Sequence, residues 1–188
     1  MIKEYYPWSG EFTACNSNSC VAVVILNIEY TPPDKVAIYG PLKTENIGIE
    51  KIVANLISNP NIRFLVICGE DIRGHKSGSS IVALNKNGID AKNRIIDAPG
   101  AIPYIENIDK KAIDRFQSQI EIINLIGETN KEIIDKSIEK CIEESPPSFG
   151  KSYISIRIKQ KTASLDDKRA LHSKIVLGYL GNVKKRGE

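Results

Sequence analysis

Apolar positions along the chain change their period in a regular way, and the changes mark its elements. Residues 21–27 and 62–68 are rich in Val, Ile and Leu and hold one charged residue between them, Arg63. Such short continuous runs suit strands of a sheet covered on both faces, where apolar-polar alternation disappears. Residues 35–39 and 122–126 are further strand candidates. Between the runs the spacing becomes helical. Ile49, Ile52, Val53, Leu56 and Ile57 recur behind Thr44; Ile113, Phe116 and Ile120 follow Asp109; Ile134, Ile138, Cys141 and Ile142 follow Asn130. Thr, Asp or Asn ahead of an apolar stripe predicts an N-cap, because its oxygen accepts an unpaired first-turn N–H. A fourth helix is predicted from Ser77 to Asn87-Gly88, where glycine suits a left-handed C-terminal cap. Strand–helix alternation of this kind predicts an α/β, three-layer domain with a mostly parallel sheet.

Two segments fall outside that rhythm. Residues 89–107 form a long connection without helical or strand period, and such a loop in a compact domain is usually functional. Pro146-Pro147-Ser148-Phe149-Gly150 ends the domain, giving residues 1–150 as the body and 151–188 as an extension. Within the extension, residues 153–158 alternate as an edge strand would. Residues 165–180 can form an amphipathic helix bearing Leu171, Ile175 and Tyr179.

Charge separates the same two parts. Residues 1–150 carry 16 Lys+Arg against 20 Asp+Glu, and residues 151–188 carry 10 against 3. A mildly acidic body argues against nucleic acid as its partner. The basic extension suits a solvated end, an acidic partner or lipid head groups. No apolar run approaches the roughly 20 residues that span a bilayer, and the first residues lack the apolar segment of a signal peptide. A cytoplasmic protein without stable membrane insertion is expected, recovered without detergent. Of four cysteines, Cys15 and Cys20 form the single close pair, too few for a zinc ribbon. Cys68 and Cys141 are expected to be buried free thiols.

The chemistry concentrates after residues 62–68, in Gly69-Glu70-Asp71-Ile72-Arg73-Gly74-His75-Lys76-Ser77-Gly78. A turn at the carboxyl end of a strand is where open α/β sheets bind ligands. A neutral imidazole there, with an acidic neighbour for its other nitrogen, is built like a metal ligand. The bland alternative is a helix-start histidine that satisfies local amides. With His172 the only other histidine, one axial ligand is allowed but a three-histidine zinc site is not. The run is close to a phosphate-binding loop but fails it: His75 displaces the lysine by one position, and Glu70 and Asp71 stand where phosphate oxygens need amide donors. No G-x-G-x-x-G follows the first strand, so a dinucleotide site is unsupported.

Four longer stretches carry a family resemblance. They are Pro7-Trp8-Ser9-Gly10-Glu11-Phe12; Lys43-Thr44-Glu45-Asn46-Ile47-Gly48-Ile49-Glu50-Lys51 with Asn59-Pro60-Asn61-Ile62-Arg63-Phe64; the turn from Cys68 to His75; and Asn87-Gly88-Ile89 leading to Ala98-Pro99-Gly100-Ala101-Ile102-Pro103-Tyr104-Ile105-Glu106-Asn107. Over roughly residues 7–145 the chain resembles the A-subunit of tetrahydromethanopterin S-methyltransferase, the cobamide carrier of a sodium-pumping complex in methanogenic archaea. The extension 151–188 stands where that protein has a membrane-anchoring helix, so a soluble homologue is expected.

The resemblance implies a Rossmann-like domain that binds a B12-type cobamide, cobalamin or 5-hydroxybenzimidazolylcobamide. It implies a methyl carrier in methanogenesis and one-carbon metabolism, cycling between Co(I) and methyl-Co(III), with partner methyltransferase proteins. The methyl group would pass from a tetrahydromethanopterin-type donor toward a thiol such as coenzyme M. His75 would serve at the lower axial side of cobalt, either ligating the metal or hydrogen-bonding a cobamide base, and Asp71 would orient its other nitrogen. Gly69, Glu70, Gly74, Ser77 and Gly78 would line the cofactor from the turn. Pro99, Gly100, Ala101, Ile102, Pro103 and Tyr104 would form the facing wall, and Gly100→Val is expected to weaken binding more than apo stability. A non-catalytic cobamide-binding protein for storage or sensing is the alternative.

Overall fold

The computed structural model describes residues 5–155, 175–177 and 183–185. Four strands run parallel at its centre: β2 (Val21–Ile25), β3 (Ile38–Pro41), β4 (Phe64–Gly69) and β5 (Glu121–Ile126). A two-residue strand, β1 (Thr13–Ala14), pairs antiparallel with β3 and closes one edge, giving the order β1-β3-β2-β4-β5. Register is set through the middle, with Val23 beside Val66 and Val66 beside Ile123. Every residue of β2 and β4 is buried, as their unbroken apolar runs require.

Side chains alternate between two cores. Ala22, Val24, Leu65 and Ile67 pack with Ile49, Val53 and Ile57 of α1 (Ile47–Ser58), Ile81 and Leu84 of α2 (Ser77–Asn87), and Ile113 and Phe116 of α3 (Lys110–Gln119). Val21, Val23, Ile25, Phe64, Val66 and Cys68 face Ile134, Ile138 and Cys141 of α4 (Lys131–Glu144). The α/β, Rossmann-like arrangement is thus present, with three helices on one face and one on the other. Asp109 and Asn130 cap α3 and α4 as their spacing predicts. At α1 the cap is Asn46, whose side chain accepts from the Ile47 N–H, while Thr44 accepts from Gly48 one turn in.

Several elements differ from the sequence pattern. The 35–39 strand begins later, at Ile38, because Pro33 accepts from Val36 and the chain is still turning there. β1 is too short to show a period. Residues 153–155 form no edge strand; Ser152 and Tyr153 instead donate to the carbonyls of Ser58 and Ile57 at the end of α1. The remainder of that expected strand, residues 156–158, lies outside the described residues. By contact the chain divides into Met1–Arg157 and Ile158–Glu188. In the second unit β6 (Ile175–Leu177) pairs antiparallel with β7 (Val183–Lys185). Residues 175–177 therefore correct the helix expected over 165–180. Ile175 and Val176 are β-branched, so strand propensity overrides a narrow helical stripe. His172 and the rest of that expected helix are outside the described residues. Among the described residues no helix is long and apolar enough to cross a membrane.

Candidate functional site

From β2 the chain moves to β3 on one side, then returns through α1 to β4 on the other side of β2. The carboxyl ends of β2 and β4 therefore mark the place where strand order reverses, the usual ligand crevice of an open α/β sheet. His75 lies on the turn that leaves β4.

That turn is held by its backbone. Gly69 adopts φ 90° and exchanges hydrogen bonds with the next strand's loop, donating to Glu128 at 2.9 Å and accepting from Gly127 at 2.8 Å. Its positive φ excludes most other residues. The Ile72 carbonyl accepts from both His75 and Lys76 at 3.1 Å, so the chain doubles back just before α2. Lys76 is the helix N-cap and sits in the left-handed region at φ 36°, a conformation that costs a residue with a side chain about 1–2 kcal/mol. The cap that Lys76 cannot supply comes from Asp71. Its Oδ1 accepts from Gly78 N at 2.7 Å, and its Oδ2 accepts from Ser79 N at 2.8 Å and Ser79 Oγ at 2.6 Å.

Asp71 is thus committed to α2, and the expected pairing of Asp71 with His75 is not made. His75 is exposed, and its imidazole has no hydrogen-bond partner among the described residues. Glu70 and Gly74 are exposed beside it. Ser77 and Gly78 point inward instead. Ser77 Oγ donates to the Leu42 carbonyl at 3.2 Å, and a Cβ on Gly78 would come within 2.6 Å of Leu26 Cδ1. Both residues are buried, Ser77 against the Leu42 carbonyl and Gly78 against Leu26.

Residues 89–107 are more ordered than their composition suggests. Asp90 opens the segment with a side-chain turn, accepting from Lys92 N and Arg94 N; these two bonds hold its carboxyl below the ordinary range. Ile95 donates to Pro103 and Ile105 donates to Asn93, both at 2.9 Å, forming a narrow hairpin whose Ile95 and Ile105 enter the core. Arg94 lies over the Tyr104 ring at 5.6 Å, so the expected pocket residue Tyr104 already has a partner. The tip carries Pro99, Ala101 and Ile102 exposed, with Gly100 and Pro103 buried.

Two carboxylates outside the sequence-predicted set fasten this hairpin. Glu50, 1% exposed on α1, accepts from the backbone N–H groups of Glu106 and Asn107 and from the Asn107 side chain, the latter two at 2.7 Å. Glu45, 4% exposed just before α1, accepts from Ile102 N at 2.7 Å through Oε1. Its Oε2 lies 1.5 Å from the point a Gly100 Cβ would occupy, and Ser80 Oγ of α2 lies 2.8 Å from the same point. Gly100 is a glycine because a carboxylate fills its side-chain space. A valine at Gly100 would need the space that Glu45 fills, so a stability cost is expected beside the loss of binding anticipated from sequence. A legible signal existed for Glu50, which shares the buried stripe of Val53, Ala54 and Ile57 at helical spacing. None existed for Glu45.

The hairpin tip and the His75 turn thus stand at the same end of the sheet, joined through the first turn of α2. Exposed isoleucines rim this end: Ile72 on the turn, Ile102 on the tip and Ile47 at the start of α1. An apolar cavity of about 100 Å³ lies elsewhere, between α1 and strands β2 and β3. The cysteines offer no nucleophile. All four are free, and burial pushes the Cys68 thiol up to about 12 and Cys141 up to about 11.

The family model for the A-subunit of tetrahydromethanopterin S-methyltransferase, MtrA, matches residues 2–166. The chain belongs to that family. It is 47% identical over 156 residues to tetrahydromethanopterin S-methyltransferase A-subunit 1 of Methanothermobacter thermautotrophicus, covering 81% of this chain and 66% of that protein. Identity is 42% over 160 residues to A-subunit 2 of Methanobrevibacter ruminantium, covering 83% of each. With the A-subunit of Methanohalophilus mahii it is 40% over 153 residues, 79% of this chain and 63% of that one. Against the first of these relatives the chain spans just under two thirds of the length. Both the His75 turn and the carboxylate-held hairpin fall inside the matched region.

Proposed function

We propose that the chain is a corrinoid methyl-carrier protein that binds a B12-type cobamide at the carboxyl end of its sheet, with His75 at the lower axial side of cobalt. The observation that carries this reading is an exposed, unpartnered imidazole on a backbone-held turn at the strand-order reversal. When bound, the cobamide supplies a strongly nucleophilic cobalt that accepts a methyl group and releases it to an acceptor.

The residues present fit such a group. A neutral imidazole nitrogen is a good donor to an oxidised metal and a poor one to a reduced, electron-rich one, so His75 would favour the oxidised state. Gly74, at φ 95° and with open space where a Cβ would stand, leaves room beside the ring. Ile72 and Ile102 are exposed apolar residues on the two loops, which suits contact with a macrocycle. Asp71 keeps α2 capped and so holds the turn, without orienting the imidazole. The methyl donor is proposed to be of tetrahydromethanopterin type and the acceptor a thiol such as coenzyme M, with partner methyltransferase proteins performing each half-transfer in the cytoplasm.

Titration of the full-length protein with hydroxocobalamin, followed by visible absorption, tests the site. Wild type is expected to bind and shift the cobalt spectrum, and folded His75→Ala is expected to lose that shift. An identical spectrum for the two proteins removes His75 from the cobalt. Nitrogen-15 histidine labelling, read in the Co(II) hyperfine pattern, separates direct ligation from a hydrogen bond to the base. Methylation with candidate donors and acceptors separates a carrier from a storage or sensing protein.

A further inference from the structure

The hairpin is fastened unequally at its two ends. At its base Glu50 receives three donors, and both its oxygens are used. At its tip Glu45 receives one, from Ile102, while Glu45 Oε2 and Ser80 Oγ are buried without a hydrogen-bond partner. Buried polar groups left unpaired forfeit the hydration they would have in water, commonly about 1–3 kcal/mol each. The closed tip is therefore held against a local penalty, and the base is not. Pro99, Ala101 and Ile102 on the tip are exposed and contribute little to the core, whereas Ile95 and Ile105 nearer the base are buried to 1%.

From this asymmetry we infer that Glu45 is a positioning residue, the releasable latch of a flap spanning residues 99–102, with Glu50 as its fixed anchor. Ile96 and Asp97 stay tied to Gly88 and Asn87 and form the hinge. Lifting the tip breaks the Ile102–Glu45 bond and opens Glu45 Oε2 and Ser80 Oγ to water or to N–H donors of a bound ligand. The hydrogen bonds between 93–95 and 103–105 and the Glu50 clamp survive the movement. Since Ser80 lies in the first turn of α2, which begins two residues after His75, a raised tip uncovers Glu45 Oε2 and Ser80 Oγ for a ligand that reaches from the already exposed imidazole. That gating of the ligand's full seating rests on the cobamide reading above; the latch itself does not.

Residue-resolved hydrogen exchange on the full-length protein tests the latch without any ligand. The Ile102 amide is expected to exchange at least about tenfold faster than that of Asn107, because it opens locally while the base opens only with a larger unit. Equal protection of the two amides overturns the flap. Two substitutions then sharpen the assignment. Glu45→Gln is isosteric, keeps an acceptor for Ile102 N and removes the charge from the buried, unpartnered Oε2, so it should slow Ile102 exchange below wild type. Glu45→Ala removes the acceptor and should speed it. A role limited to packing predicts that the isosteric Glu45→Gln leaves the tip unchanged while Glu45→Ala loosens it, so unchanged or faster Ile102 exchange in Glu45→Gln refutes the latch. If Glu45→Ala fails to fold, the sign of the Glu45→Gln effect still decides. Association of hydroxocobalamin is expected to slow in Glu45→Gln by the factor that Ile102 exchange slows. Binding that proceeds at the wild-type rate refutes gating, and an absence of binding in wild type refutes the cobamide reading while the exchange result stands.

Discussion

The two loops that meet at the carboxyl end of the sheet are built in opposite ways. The turn of residues 69–76 is glycine-rich, fastened by its own backbone and by the Asp71 cap, and leaves its chemical group, His75, exposed. The hairpin of residues 89–107 has little glycine, and it is fastened by carboxylates that reach it from another element and are buried by it. The first loop is held by main-chain bonds, its own and those to residues 127–128, and displays a polar side chain. The second adds buried carboxylates of another element to its own backbone bonds and displays Pro99, Ala101 and Ile102. A cofactor lying between them would meet a rigid donor on one side and a movable wall on the other.

That contrast can be broken most sharply at Gly100. A valine there places carbon on the Glu45 carboxylate, so both overpacking and loss of the Ile102 bond follow. Urea denaturation should show a loss of about 1–3 kcal/mol, bounded by the cost of raising the tip. A loss below about 1 kcal/mol would mean that the tip is not seated on Glu45 in solution. Glu50→Ala strands three donors at the base, and about 3 kcal/mol should be lost in the same measurement. If Glu50→Ala proves no more costly than Glu45→Ala, the base is not the stronger anchor.

Asp71→Ala acts on the other loop. Removing the cap of α2 should cost about 1–2 kcal/mol, and circular dichroism should show fraying of that helix. The cobalt spectrum of loaded protein should change only insofar as the turn loosens. A large spectral change with unchanged stability would instead place Asp71 against the histidine. The smallest effect on stability belongs to His75→Ala. An exposed side chain without partners should be removable within about 0.5 kcal/mol, leaving thermal unfolding of the apo protein unchanged. A clear fall in the melting temperature would show that His75 serves the helix start rather than a ligand.

Much of this architecture was open to a reader of the sequence alone. The runs at 21–27 and 62–68 sit in a two-sided core because their apolar character is continuous, a property local to each strand. Asp109, Asn130 and Gly88 marked helix ends because capping is a bond between residues a few positions apart. His75 stood out for the same reason, since a strand, a glycine turn and a helix start are all written within sixteen residues, 62–77. The extension was harder. Over 165–180 a narrow stripe fits a helix, yet Ile175–Leu177 is a strand paired with Val183–Lys185, because pairing depends on a second segment that periodicity does not see.

What only the tertiary structure decided are the partners of charged groups. Asp71 is four residues from His75, and sequence proximity suggested that they meet. The fold instead turns both Asp71 oxygens to Gly78 and Ser79, whose free N–H groups exist only once α2 has formed. Glu45 and Glu50 are 57 positions from the Ile102 and Asn107 amides they hold. Within residues 1–150 sequence by itself determined the central strands and the helices, since hydrophobic burial and capping act over short distances along the chain. It could not determine which buried carboxylate answers which amide, because that depends on the closed sheet bringing α1, α2 and the hairpin together.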